Sequence, residues 1–96
     1  MTTCEIEMAT RGQVNARRNY LMGLWAGRML GMGDREMPDY VHEVMASDFQ
    51  EPGSGDVVRK VSRDLASVGR KISEEEVLRQ LKMMEKSVRS ELLSTD

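Results

Sequence analysis

Glycine and proline cut this chain into short segments, and each segment repeats its apolar residues at helical spacing. Gly31 and Gly33 close the first segment, Pro38 opens the second, Pro52-Gly53-Ser54-Gly55 divides the second from the third, and Gly69 ends the third. The first stripe is Val14, Leu21, Met22, Trp25 and Met29, and the second is Met37, Tyr40, Val41, Val44 and Met45. The third is Val57, Val58, Val61, Leu65 and Val68; the fourth is Val77, Leu81, Met84, Val88 and Leu92, with Leu78 beside it. No alternating apolar pattern competes for a strand. Helices this short are marginal alone and need their stripes covered. The expected fold is therefore all-α, a compact four-helix bundle-like domain.

The stops and starts set expected boundaries. The first helix should span residues 13–30, and the second should start near 34–38 and end near Phe49, because proline is comfortable in a first turn. The third should span 56–68, and the fourth should run from the capping box Ser73-Glu74-Glu75-Glu76 to about Leu92. Residues 1–12 lack a sustained period and are expected to form a flexible, disordered N-terminal tail, with residues 13–96 as one domain. Gly23 and Gly27 lie one turn apart on one face of the first helix, where another helix could approach closely.

Charge and cysteine usage narrow the function classes. A net charge of −2 over 96 residues favours neither nucleic acid nor an anionic membrane as partner. Cys4 is the single cysteine, so no intrachain disulfide can form and a reducing compartment is expected. The chain shows no apolar run of transmembrane length and no signal-peptide pattern, which suits a cytoplasmic protein, monomeric when free. Cofactors and metals are not expected: His42 is the lone histidine, and Glu5 and Glu7 would discourage a reactive thiolate at Cys4. No serine–histidine or paired-carboxylate arrangement supports catalysis, so an enzyme is the least favoured class.

The polar residues that interrupt the stripes are the candidate site. On a helical wheel Arg18 falls between Leu21 and Trp25, Arg17 lies near Leu24, and Asp48 falls in the arc of Val44, Val41 and Tyr40. A structural ion pair of Asp48 with Arg17 or Arg18 is expected, since buried charges are usually paired. The sharper alternative is a partner or anion contact built on Arg17, Arg18 and Arg59, with weak nucleotide binding; no glycine-rich phosphate loop accompanies it. The acids Glu36, Asp39 and Glu43 read as a solvated face. Arg79, Lys82, Lys86 and Arg89 form a basic strip that Glu75 and Glu85, four residues ahead of Arg79 and Arg89, partly neutralise.

Three stretches in register resemble a known family. They are Ala16-Arg17-Arg18-Asn19-Tyr20-Leu21-Met22-Gly23-Leu24-Trp25-Ala26 with Leu30-Gly31, then Ala46-Ser47-Asp48-Phe49-Gln50-Glu51-Pro52-Gly53, then Asp56-Val57-Val58-Arg59-Lys60-Val61. Their order and spacing resemble the zeta subunit of the alphaproteobacterial F-type ATP synthase, over about residues 16–92. The resemblance implies a four-helix fold. It also implies a regulator that binds the catalytic sector and inhibits ATP hydrolysis by inserting its N-terminal segment into a catalytic interface. Such a protein would lie peripheral to the inner membrane through the synthase. Ahead of Ala16 only Met1-Thr2-Thr3 follows the family pattern; Cys4 stands where the family has phenylalanine, and the segment is shorter. Inhibition is therefore expected to be weakened or lost. The alternative is a non-enzymatic binding module on the same scaffold, recognising another protein or a small anionic ligand.

Overall fold

The structure, a computed structural model, describes the backbone of residues 3–48 and 55–94 and the side chains of residues 12–48 and 55–91. It contains the helices α1 (Thr3–Met29), α2 (Met37–Ser47), α3 (Gly55–Ser67) and α4 (Glu74–Ser94), with no strand among the described residues.

The helix ends follow local chemistry. Gly31 and Gly69 have φ of 78° and 82°, a left-handed conformation that glycine adopts without a Cβ clash. Each closes its helix with a pair of crossed backbone bonds. Gly31 N–H donates to Arg28 at 3.1 Å and Met32 N–H to Gly27 at 3.0 Å; Gly69 N–H donates to Ala66 at 3.0 Å and Arg70 N–H to Leu65 at 2.9 Å. Pro38 sits in the first turn of α2. Ser73 Oγ accepts the Glu76 backbone N–H at 3.1 Å and so caps α4, whose first turn carries Glu74, Glu75 and Glu76.

Two boundaries differ from expectation. Helical backbone begins at Thr3, not near Gln13. Gly12 does not interrupt it, because one helical glycine costs only about 1 kcal/mol and keeps its backbone hydrogen bonds. The side chains of residues 1–11, which make up nearly all of the expected flexible tail, lie outside the described residues. At the other discrepancy α2 stops at Ser47 with Asp48 as its C-cap; Phe49, the expected end, lies outside the described residues.

The core is aliphatic. Met22 and Ala26 of α1, Tyr40 and Val44 of α2, Val57, Val58, Val61 and Leu65 of α3, and Val77 and Leu81 of α4 form one buried cluster, with Trp25 packed at its edge. Val14 and Val88 are also buried. Val68, expected in the third stripe, is instead half exposed beyond the end of α3. Helices α1 and α3 each pack on all three others, whereas α2 and α4 do not pack on each other among the described residues.

The closest approach is between α1 and α2. A Cβ added at Gly23 would stand 2.9 Å from Val41 Cα, so a backbone atom would have to move. Gly23→Ala should therefore lower stability by about 1–2 kcal/mol, overpacking outweighing the gain in helix propensity. Gly12 has nothing within 4 Å of the same added atom. Gly12→Ala should raise stability by up to about 1 kcal/mol. Thermal unfolding followed by circular dichroism checks both signs; equal shifts would mean that helix propensity, not the α1–α2 contact, governs both positions.

Candidate functional site

Arg18 projects from the inner face of α1 and keeps 7% of its side chain exposed. Its Nε–H donates to Asn19 Oδ1 at 3.0 Å. Nη2 lies 3.7 Å from Asp48 Oδ1, at the C-cap of α2, and Nη1 lies 3.8 Å from Glu85 Oε1 on α4. Glu85 also takes Arg89 Nη2 at 3.4 Å. One guanidinium thus ties α1 to α2 and to α4. Arginine suits the place because its planar fork presents donors in several directions at once.

The other two candidate arginines face elsewhere. Arg17 is exposed and pairs with Glu91 at 3.9 Å, not with Asp48. Arg59 pairs with Asp56 at 2.6 Å, one turn away on α3. Each of the three arginines already faces a carboxylate of its own. These carboxylates lie on different elements, so the structure does not bring the three arginines together into one shared anion or nucleotide site.

Another polar network sits between α2 and α3. Tyr40 is 4% exposed, and its hydroxyl donates to Asp64 Oδ2 at 2.9 Å. Lys60 Nζ donates to the same oxygen at 3.1 Å and lies 5.4 Å from the Tyr40 ring centroid. Burial, the hydrogen bond to Asp64, and the charges of Asp64 and Glu43 all raise the Tyr40 pKa far above its ordinary value. Sequence reasoning missed this network and missed Glu85 as the second carboxylate on Arg18. The spacing of Lys60 and Asp64, four apart on one helix, was the available signal, as was a tyrosine hydroxyl within an apolar stripe, which needs a partner when buried.

The surface candidates are simpler. His42, Glu36, Asp39 and Glu43 are exposed. Arg79 pairs with Glu76, not Glu75 as its spacing suggested. Among the described residues no group of three or more histidine, cysteine, aspartate or glutamate side chains could hold a metal; Cys4 lies outside the described side chains. An open apolar groove of about 280 Å³ runs between α1 and α2, lined by Tyr20, Leu24, Met37, Pro38, Val41, His42 and Met45.

Comparison with known families decides the assignment. The model of the ATPase inhibitor subunit zeta family matches residues 6–91. The chain belongs to the zeta family. The family name gives it a general role as an ATPase inhibitor subunit. The match starts ten residues ahead of Ala16, so it takes in most of the N-terminal segment that had looked unrelated. It covers the Arg18 cluster, the Tyr40 network and the α1–α2 groove. A search of curated proteins finds no match.

Two expectations follow from this geometry. Arg18→Ala should cost about 1–2 kcal/mol, because it removes a buried side chain and leaves Asp48 without this partner, while Glu85 keeps Arg89. Asp48→Ala should cost less, about 1 kcal/mol, because Glu85 still faces the guanidinium. Removing Asp48 and Glu85 together should cost more than the sum of the two single changes, which a double-mutant cycle in urea measures. Tyr40 supplies the second expectation. Its folded pKa is raised, so its contribution is fully present below the unfolded pKa of about 10 and is lost progressively as pH climbs above that. The unfolding midpoint should fall between about pH 9 and 11 in the native protein and fall less in Tyr40→Phe.

Proposed function

We propose that the protein binds the catalytic sector of an F-type ATP synthase and inhibits ATP hydrolysis, acting as a regulator with no catalysis of its own. The family match over residues 6–91 carries this reading. The long α1 supplies its mechanical part. Helical backbone starts at Thr3, eleven residues before Val14, the first described core residue of the helix. At about 1.5 Å per residue those eleven residues span roughly 16 Å. An element that stops a rotor must be stiff and must reach an interface, and a helix continuous with the packed domain meets the first need. The segment from Cys4 to Ala16 departs from the family pattern, so inhibition is weak relative to a relative whose segment follows that pattern. The synthase would hold the protein at the cytoplasmic side of the inner membrane. Among the described residues no helix is long and apolar enough to cross one.

The test is ATP hydrolysis by the purified catalytic sector from the same source. One assay adds the native protein and another adds a chimera with a longer zeta-family segment ahead of Ala16. Weak inhibition by the native protein and strong inhibition by the chimera are expected. Strong inhibition by the native protein would show that the short segment suffices. If neither inhibits, the scaffold serves a different partner.

A further inference from the structure

We infer that the α1–α2 groove is a docking site for an acidic amphipathic helix of the ATPase catalytic sector. The inference rests on the function proposed above and names the surface that would carry it. The groove floor is stiff, because the Val41 backbone lies so close to Gly23 that a Cβ there would stand 2.9 Å from Val41 Cα. Its walls are Tyr20 and Leu24, one turn apart on α1, and Pro38, His42 and Met45 on α2. Tyr20 is 44% exposed, a large apolar surface left open to water. Parallel ridges of side chains with a cleft between them accept the ridge of a third helix. The open groove holds about 280 Å³. It suits a few protruding side chains, and Met37 and Met45 can adapt to their shapes.

Charge selects the kind of helix. None of the groove's lining residues carries a carboxylate, whereas a cavity beside Tyr40 is lined by Glu36, Glu43 and Asp64, and a third by Glu74 and Glu75. On α2 the acids Glu36, Asp39 and Glu43 fall, by helical register, on the side away from the groove. On α1 the strip that carries Tyr20 and Leu24 is bounded by Arg17 and Arg28, both exposed. These arginines are eleven residues apart, or roughly 16 Å at helical rise. Arg17 shares Glu91 across 3.9 Å with both side chains largely solvated, a contact weak enough to exchange. A fitting occupant therefore presents an apolar ridge about three turns long with a carboxylate near each end.

Photo-crosslinking with the intact protein and the purified catalytic sector tests this. A benzophenone amino acid is placed in separate preparations at Tyr20, at His42 and at Met83, an apolar α4 side chain that is 60% exposed. Cross-links from positions 20 and 42 to a helix bearing acids about three turns apart, with none from 83, are expected. The double charge reversal Arg17→Glu with Arg28→Glu should weaken binding roughly tenfold while leaving the circular dichroism spectrum and melting midpoint near native. Binding with cross-links only from 83, or unchanged affinity after charge reversal, overturns the groove assignment and leaves the proposed function standing. Absence of any binding by the native protein overturns both.

Discussion

Everything in this fold depends on how closely α1 and α2 approach. Gly23 meets Val41, and one turn along Gly27 meets Met37. The register is that of an antiparallel pair, each turn forward on α1 matching a turn back on α2. Extended the other way, the same register carries Arg18 to the last turn of α2 at Ala46, and its long side chain reaches Asp48 two residues on. The glycines therefore do more than permit contact. They set the offset at which a charged residue on the buried face finds its partner. A bulkier residue at position 23 would push α2 outward and lengthen a pair that is already 3.7 Å apart.

Arg18 is not a large source of stability. Both of its carboxylates are partly solvated, and neither lies within hydrogen-bond distance. Burying a guanidinium costs several kcal/mol of hydration, which such partners offset only in part. What the residue supplies is selectivity among packings. Valine dominates the core, and valines alone would tolerate a sliding or rotated helix. A slid α2 or α4 would leave Arg18 buried against apolar side chains, at a cost the native arrangement avoids. The buried Tyr40 hydroxyl ties α2 to α3 through Asp64 in the same manner. Polar pairs thus fix α2 against both helices that flank it.

The sequence was most legible where one residue decides the outcome locally. Gly31, Gly69, Pro38 and Ser73 mark helix ends because backbone sterics or a single side-chain bond settles each case. The start of α1 was not legible, because Gly12 is a small energetic cost and not a stop signal. The partners of the arginines were legible only in part. A helical wheel places Arg18 inward and Asp48 toward it, yet gives Arg17 nearly as good a claim. Choosing between neighbours about 100° apart requires the crossing geometry of the two helices, which no single helix encodes. Glu85 was invisible for the same reason: it reaches Arg18 from a helix more than sixty residues away in the chain. The groove also lay beyond the sequence, since Met37, Val41 and Met45 read as ordinary core until the position of α1 shows which side stays open.

The same geometry separates the two parts an inhibitor of this kind needs. Helical order in the first turns of α1 reaches them along the backbone from the packed face that begins at Val14. A stretch of about eleven residues is marginal as an isolated helix, so its order depends on that continuity. Gly12 stands at the junction with nothing within 4 Å of its absent side chain. A substitution there changes the stiffness of the N-terminal turns and meets no core atom. Substitutions at Arg17 and Arg28 change the rim of the groove and leave the Arg18 cluster in place. Stopping a rotor requires both a firm hold on the stator and a stiff element in the gap. Under the proposed function the first falls to the α1–α2 face and the second to the start of α1, elements that share a helix and differ in what keeps them ordered.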